Sequence, residues 1–393
     1  MSMFQVTGST DQQLLPSRKG GAYWRDLDWI LLVAALAATV FGSVLVWSAS
    51  RADLASPTDP QSYLKKHLIN VVLGILLFYV ASRVDHRWLR AYAPVIYGLS
   101  VFSLFLVFLP GLGTKIAGAR AWVQLPGGFT IQPSEFVKIA VILMMAAILA
   151  EKDRAEHEPR DRDVLLSLGV AVFPLLVILV QNDTGSVLIL GSVALAIIAV
   201  SGARNRWVGG LLIGAVVGVL MAIQFGLLKQ YQVDRLTSFI NPTADVGSIA
   251  YNSTQARIAI GGGGLFGYGL FNGPQTQGRF VPVNESDFIF TVAGEEFGFI
   301  GAGLLVVLLG IVLWRAILIA MRADDMYGRL VATGIVAWLA FQTFENIGMT
   351  LGIMPITGVP LPFVSAGGTA MMAIWIAIGL LENIRLHSQQ MIP

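Results

Sequence analysis

Ten long apolar segments run through the chain, and a sequence with so many of them folds inside a membrane. Charged residues make up only 13% of the chain, about half of their share in a soluble domain. Because lipid offers the backbone no hydrogen-bond partners, the segments are expected to be helices. The sequence therefore predicts an all-α integral membrane protein with about ten transmembrane helices. The segments are 28–49, 66–82, 91–109, 133–150, 164–180, 184–201, 207–226, 287–320, 328–352 and 366–386.

The placement of basic residues predicts the orientation of the chain. With the N-terminus inside, sixteen Lys and Arg residues face the cytoplasm, and nine lie in the longer loops on the other side. The positive-inside rule then puts both termini in the cytoplasm. The expected organisation is a cytoplasmic tail over 1–27, one polytopic membrane domain over 28–386 and a second cytoplasmic tail over 387–393.

Two outside loops, 110–132 and 227–286, are too long to be simple connectors. The larger one lies between the seventh and eighth spans, and long ordered loops usually carry function. The chain has no cysteine, which excludes disulfides, zinc–thiolate sites and a thiol nucleophile.

A few ionisable residues lie in or beside the apolar segments, where they are costly. Glu135 and Lys138 are three residues apart, so they share a helix face, either as a structural ion pair or as the wall of a polar site. Asp183 precedes the sixth span, where it either caps the helix or belongs to such a site. Asp287 begins the eighth span under the long loop. It is either a simple helix cap or, partly desolvated, a general base.

The segment 355–369 contains three Pro and three Gly residues, which do not fit a regular helix. Irregular backbone at membrane depth is tolerated only against protein or a water-filled cavity. The segment is therefore expected to line a cavity on the outer side.

Eight short stretches of the chain form a distinctive ordered set: 118–122, 132–138, 181–186, 259–267, 286–290, 295–298, 346–349 and 355–369. Taken together and in this order, they resemble the SEDS family (shape, elongation, division and sporulation). Two of them, 346–349 and 358–362, look more like the rod-shape branch of that family than its division branch. Arg120 departs from the family pattern, because the family Arg is expected at position 121, which is Ala121 here.

The resemblance implies a glycosyltransferase of the bacterial cytoplasmic membrane, with its active site facing outward. Such an enzyme polymerises lipid II into peptidoglycan strands during cell elongation and releases polyprenyl pyrophosphate. The family's essential loop carboxylate falls on Asp287, which is assigned as the catalytic general base. The substrate-binding residues are then expected to be Lys115, Arg120, Trp122, Glu135, Lys138, Asp183, Arg257, Arg279 and Ser365.

The expected partners are a class B penicillin-binding protein that crosslinks the strands, lipid II, the growing glycan strand and membrane lipids, but no nucleic acid. The family also suggests a divalent cation, Mg²⁺ or Mn²⁺, although the sequence has no dedicated cluster of metal ligands. Two alternatives stay open at this point. One is a flippase for the lipid-linked precursor, and the other is a member of the division branch with the same chemistry.

Overall fold

A computed structural model describes residues 24–51, 61–116, 118–125, 129–151, 158–226, 232–233, 235, 239 and 248–388. Within these ranges, each of the ten predicted apolar segments carries a helix. Among the described residues of the long loop 227–286, two further helices have both ends defined. The helices are α1 (Trp29–Arg51), α2 (Ser62–Arg83), α3 (His86–Leu106), α4 (Pro133–Leu149), α5 (Asp161–Val180), α6 (Thr184–Val200), α7 (Asn205–Gln224), α8 (Ser248–Gly262), α9 (Pro274–Gln277), α10 (Ile289–Arg322), α11 (Met326–Leu351) and α12 (Gly368–Ser388).

Eight of the described helices are long and apolar enough to cross a membrane on length and composition. The other two helices from the apolar segments, α4 and α6, have 17 residues each. A helix of that length spans about 26 Å, slightly less than the hydrocarbon core of a typical bilayer. The largely helical, multi-pass fold is confirmed, and the count of ten spans stays a prediction.

The loop 110–132 folds into a small sheet that the sequence analysis did not predict. Strands β1 (Gly113–Ile116), β2 (Ala119–Leu125) and β3 (Phe129–Ile131) pair antiparallel in the order β1-β2-β3. Burial alternates along strand β2 with a period of two residues, since Ala121 and Val123 are buried while Gln124 is exposed. We call the end of the helix bundle that carries these strands the sheet end.

Helix α10 is broken at Gly298, which has a positive φ of 65°. The break frees backbone groups that the residues after α8 satisfy. Tyr268 and Gly269 donate their N–H groups to the carbonyls of Glu295 and Glu296 at 3.0 Å each. The Phe299 N–H donates in return to the Gly264 carbonyl at 2.8 Å. The run of four glycines at 261–264 is therefore part of a tightly packed corner.

The opposite end of the bundle is held by a buried cluster of charges. Asp28, which is 2% exposed, accepts hydrogen bonds from Arg315 at 2.9 and 3.1 Å. The Asp28 backbone N–H donates to Glu382 at 3.0 Å, and Glu382 lies 3.7 Å from Arg385. Because each buried charge has an opposite neighbour, the cluster joins the start of α1 to α10 and α12.

Candidate active site

The residues just before α10 are held by their backbone at the sheet end. The carbonyls of residues 285, 286 and 287 each accept a hydrogen bond from the last third of the chain. The donors, in order, are the Ala366 N–H at 3.0 Å, the Ser365 hydroxyl at 2.6 Å and the Asn346 side-chain amide at 2.8 Å. Three successive bonds of this kind leave the tripeptide little freedom. Asp287 therefore has a fixed place, two residues before the helix begins and not inside the span.

The segment 355–367 forms the wall opposite Asp287. It is irregular as predicted, and α12 begins only at Gly368. Gly358 has a φ of +76°, and a Cβ atom added to it would lie 3.1 Å from the Asp287 Oδ2 atom. The wall thus approaches the carboxylate so closely that no side chain fits between them.

The Asp287 residue is half-buried, and its carboxyl group lies against Ser286 and Gly358. Burial raises the pKa of Asp287 to about 6, since the charged form loses its hydration. The Ser286 hydroxyl donates to the Asp287 Oδ1 atom at 3.1 Å and lowers the pKa. The nearby carboxylates of Glu285 and Asp183 raise it again, and the Arg235 guanidinium lowers it. A carboxylate tuned in this way can take up a proton near neutral pH.

Arg235 is a site residue that the sequence analysis missed. Its guanidinium donates to the Thr184 hydroxyl and to the Thr357 carbonyl, both at 3.3 Å. Arg235 and Arg257 line one small pocket, together with Ser253. Two guanidinium groups and a hydroxyl around one pocket suit a phosphate group. The available signal was a basic residue in the long loop, but no motif distinguished it from its basic neighbours.

Asp183 caps α6, one of its two expected roles. Its Oδ1 atom accepts the Ser186 N–H at 3.0 Å. Its Oδ2 atom accepts hydrogen bonds from the Gln132 amide and the Ser186 hydroxyl, both at 2.8 Å. Because its charge also acts on the Asp287 carboxyl group, Asp183 belongs to the surroundings of the site as well.

Glu135 and Lys138 form the expected pair, but inside the bundle. The Lys138 Nζ atom lies 2.8 Å from Glu135, and Lys138 is fully buried at 0% exposure. The same ammonium group lies 4.8 Å from the centre of the Trp338 ring on α11. The structural ion pair is thus the role visible here, and direct contact between Lys138 or Glu135 and a substrate stays a prediction.

A series of contacts connects this ion pair to the wall of the site. The Trp338 indole N–H donates to Gln342 at 2.6 Å, and the Gln342 amide donates to the Pro360 carbonyl at 2.7 Å. Lys138 packs on Trp338, which orients Gln342, which in turn holds the wall. The buried pair can therefore act on the site through packing.

The remaining predicted residues either make hydrogen bonds within the protein or are at least partly exposed. Ser365 uses its hydroxyl within the protein, because it donates to the Ser286 carbonyl and accepts the Leu361 N–H at 2.7 Å. Lys115 is exposed on β1, and Trp122 is half-buried on β2. Arg120 donates its backbone N–H to the Gln181 carbonyl and its guanidinium to the Phe108 carbonyl. Arg279 lies on the exposed turn after α9. Their contacts with substrate stay predictions.

A divalent cation would find few protein ligands at this site. Among the described residues, no three His, Asp or Glu side chains converge to hold a metal ion. Mg²⁺ commonly takes one or two carboxylates and completes its shell with phosphate oxygens and water. Asp287 or Asp183 could supply such a single ligand. The residues of the site therefore fit an ion that is held mainly by the phosphate groups of a substrate.

Comparison with protein families gives one match over almost the whole chain. The model of the FtsW, RodA and SpoVE family, described as "Cell cycle protein", matches residues 28–390. Stage V sporulation protein E of Bacillus subtilis is 33% identical over 92% of this chain and 98% of its own length. A probable peptidoglycan glycosyltransferase FtsW of Geobacter metallireducens is 35% identical over 91% and 94%. The peptidoglycan glycosyltransferase MrdB of Escherichia coli is 32% identical over 93% and 95%.

Solved structures agree with this comparison. A chain from a study of the structural coordination of polymerization and crosslinking by a peptidoglycan synthase complex aligns with a TM-score of 0.75 and 27% identity, over 93% of this chain and 99% of its own. The rod shape determining protein RodA of Thermus thermophilus aligns with a TM-score of 0.67 and 27% identity, over 94% and 99%.

Proposed function

The chain belongs to the FtsW, RodA and SpoVE family of cell cycle proteins, and from this premise we propose that it is a peptidoglycan glycosyltransferase with Asp287 as its general base. It polymerises lipid II into glycan strands on the outer face of the bacterial cytoplasmic membrane. The observation that carries the proposal is the Asp287 carboxylate, which is fixed by its backbone beside a pocket lined by arginines.

The reaction needs one base and a charged cradle for the leaving group. The 4-hydroxyl of the acceptor sugar attacks the anomeric carbon of the donor, and its proton passes to the Asp287 carboxylate. The bond from the anomeric carbon to the phosphate oxygen breaks, and polyprenyl pyrophosphate leaves with the electron pair. A single displacement of this kind inverts the configuration at the anomeric carbon. Because pyrophosphate leaves as a stabilised anion, no second carboxylic acid is required, unlike in most glycoside hydrolysis.

Arg235 and Arg257 are the cations best placed to receive that leaving group. Both line the pocket beside the wall, and Arg235 already acts on the Asp287 carboxyl group. One guanidinium group can bind two phosphate oxygens at once, and it stabilises the negative charge that develops in the transition state. A divalent ion, when bound, would neutralise the same pyrophosphate. The more distant Arg120, Lys115 and Arg279 would contact other parts of the substrates.

The partner in this proposal is a class B penicillin-binding protein, and the role is cell elongation. Support for the partner comes from the solved relative in a complex that polymerises and crosslinks peptidoglycan. Support for elongation comes from the motifs 346–349 and 358–362 and from the similarity to the Thermus RodA structure. The family relatives include proteins named FtsW at similar identity, so a division role would use the same site.

One assay separates the proposal from a flippase. The purified chain in detergent, given lipid II alone, is expected to form glycan polymer. Detergent leaves no membrane to cross, so a protein that only moves the precursor between leaflets would leave lipid II unchanged. The absence of polymer would contradict the proposal.

The pH dependence of this reaction should follow Asp287. Only the ionised carboxylate accepts a proton, so kcat/KM for lipid II should rise with pH and level off above a midpoint near the raised pKa of about 6. Replacing Ser286 by Ala removes a hydrogen bond that lowers this pKa, so the midpoint should move to higher pH. If wild type and Ser286→Ala had the same midpoint, the rise of kcat/KM with pH could not be assigned to Asp287.

Arg235 should contribute to substrate affinity. Arg235→Gln removes the charge and is expected to raise KM for lipid II about tenfold or more, since a hydrogen bond to a charged group contributes about 1.5–3 kcal/mol. The measurement is made well above the Asp287 midpoint, where that carboxylate stays ionised. The control is Arg206→Gln, an exposed arginine paired with Asp161 at the opposite end, which should leave KM unchanged. An unchanged KM in Arg235→Gln would remove this residue from the pyrophosphate site.

A further inference from the structure

Three polar side chains on α11 face the wall of the site from one side of the helix. Glu345 and Asn346 follow Gln342 by three and four residues, so all three lie on one side of the helix. All three are fully buried. Gln342 donates to the Pro360 carbonyl, and the Thr357 hydroxyl donates to Glu345 at 2.9 Å. This face of α11 thus holds the irregular segment through hydrogen bonds with Thr357 and Pro360.

Asn346 differs from the other two because it joins two separate parts of the site. Its side-chain amide donates one hydrogen to the Asp287 carbonyl at 2.8 Å and the other to the Val359 carbonyl at 2.7 Å. Both partners are acceptors only, so the nitrogen and not the oxygen of the Asn346 amide must face them. One planar group therefore sets the separation between the backbone of Asp287 and the wall.

The Asn346 Oδ1 atom has no hydrogen-bond partner among the described residues, although it is buried. An unsatisfied buried acceptor lowers stability. What Asn346 contributes to the site is therefore the pair of hydrogen bonds that its nitrogen donates.

We propose that Asn346 is a positioning residue for glycosyl transfer, because its amide holds Asp287 at the correct distance from the wall formed by 355–367. Asn346 does not touch substrate in this scheme. It acts through the Asp287 backbone, so it affects the turnover step and not the affinity for lipid II. The inference rests on the proposed function, since it needs Asp287 to act as the base.

The chain offers a matched control in Asn383 on α12. Asn383 is also fully buried, and its amide also donates to two backbone carbonyls, those of Ala81 at 3.2 Å and Val84 at 2.5 Å. Its Oδ1 atom likewise has no partner in the described part of the chain. The Asn383 bonds hold α2 and α12 together at the end opposite Asp287, so the two residues share their chemistry but not their place.

The test compares Asn346→Leu with Asn383→Leu in the full chain, with lipid II in detergent. Both substitutions keep the size of the side chain and remove two hydrogen bonds, so both should lower thermal stability. Only Asn346→Leu should lower kcat per folded molecule, by up to about 100-fold, which is the cost of a displacement of about 1 Å. Its KM should not change. Asn346→Ser keeps one donor and should give an intermediate kcat. This variant tests the proposal if Asn346→Leu does not fold.

The outcomes separate the two proposals. Unchanged kcat in the Asn346 variants, a rise in KM alone, or an equal loss of kcat in Asn383→Leu would overturn the positioning role. Wild type and Asp287→Asn are measured in the same series. If wild type forms no polymer, or if Asp287→Asn stays active, the proposed function fails and this inference fails with it.

Discussion

Asp287→Asn is expected to lower kcat for the polymerisation of lipid II by about 10²–10⁴-fold, the usual contribution of a general base. Asn has the size of Asp and keeps the backbone bonds that the Ala366, Ser365 and Asn346 donors make to 285–287. What it loses is the basic oxygen that accepts the proton of the sugar hydroxyl. KM should change little, because the arginine pocket stays intact. The measurement is the initial rate of glycan polymer formation over a range of lipid II concentrations.

Asp325→Asn provides the control for the loss of a carboxylate beside a helix. Asp325 precedes α11 at the opposite end, where its side chain accepts the Gly328 N–H at 3.3 Å. Asn caps helices as well as Asp does, so polymerisation should be unchanged in this variant. If Asp287→Asn kept a rate close to that of wild type, the base would have to be another group.

Gly358→Ala is expected to lower kcat by about 100-fold or more. The added Cβ atom would lie 3.1 Å from the Asp287 Oδ2 atom, so the carboxylate or the wall must move. The substitution also places a side chain at a φ of +76°, which costs about 1–2 kcal/mol. A displacement of about 1 Å at a reacting group is enough for a loss of this size. The rate of polymer formation and the thermal stability are measured together.

Gly202→Ala separates the strain from the contact. Gly202 has a φ of 81° and is exposed between α6 and α7, at the end opposite Asp287. Its substitution carries the same backbone cost without a neighbour in the site. It should therefore lower stability but leave kcat unchanged. Equal losses of kcat in the two variants would mean that strain, and not the approach to Asp287, explains the effect.

The sequence predicts the helices well and the site only in part. All ten apolar segments carry helices, because the length and polarity of a segment are local properties. Asp287 could be found from its place between a long loop and an apolar span. Arg235 could not, since it gains its meaning from Thr184 and Thr357, which lie 51 and 122 residues away along the chain. The sheet over 113–131 was missed because its strands are short and the loop was interpreted by length alone.

Composition and motifs are enough to identify a multi-pass membrane protein of a known family with a carboxylate beside its eighth apolar segment. Tertiary structure alone decided what surrounds that carboxylate. The Asp287 backbone meets Asn346 across 59 residues of sequence, and the Ser286 carbonyl meets Ser365 across 79. It also decided that Lys138 packs on Trp338 inside the bundle. Apolarity follows from composition within a segment, whereas a reactive geometry depends on how distant segments pack, which no local pattern encodes.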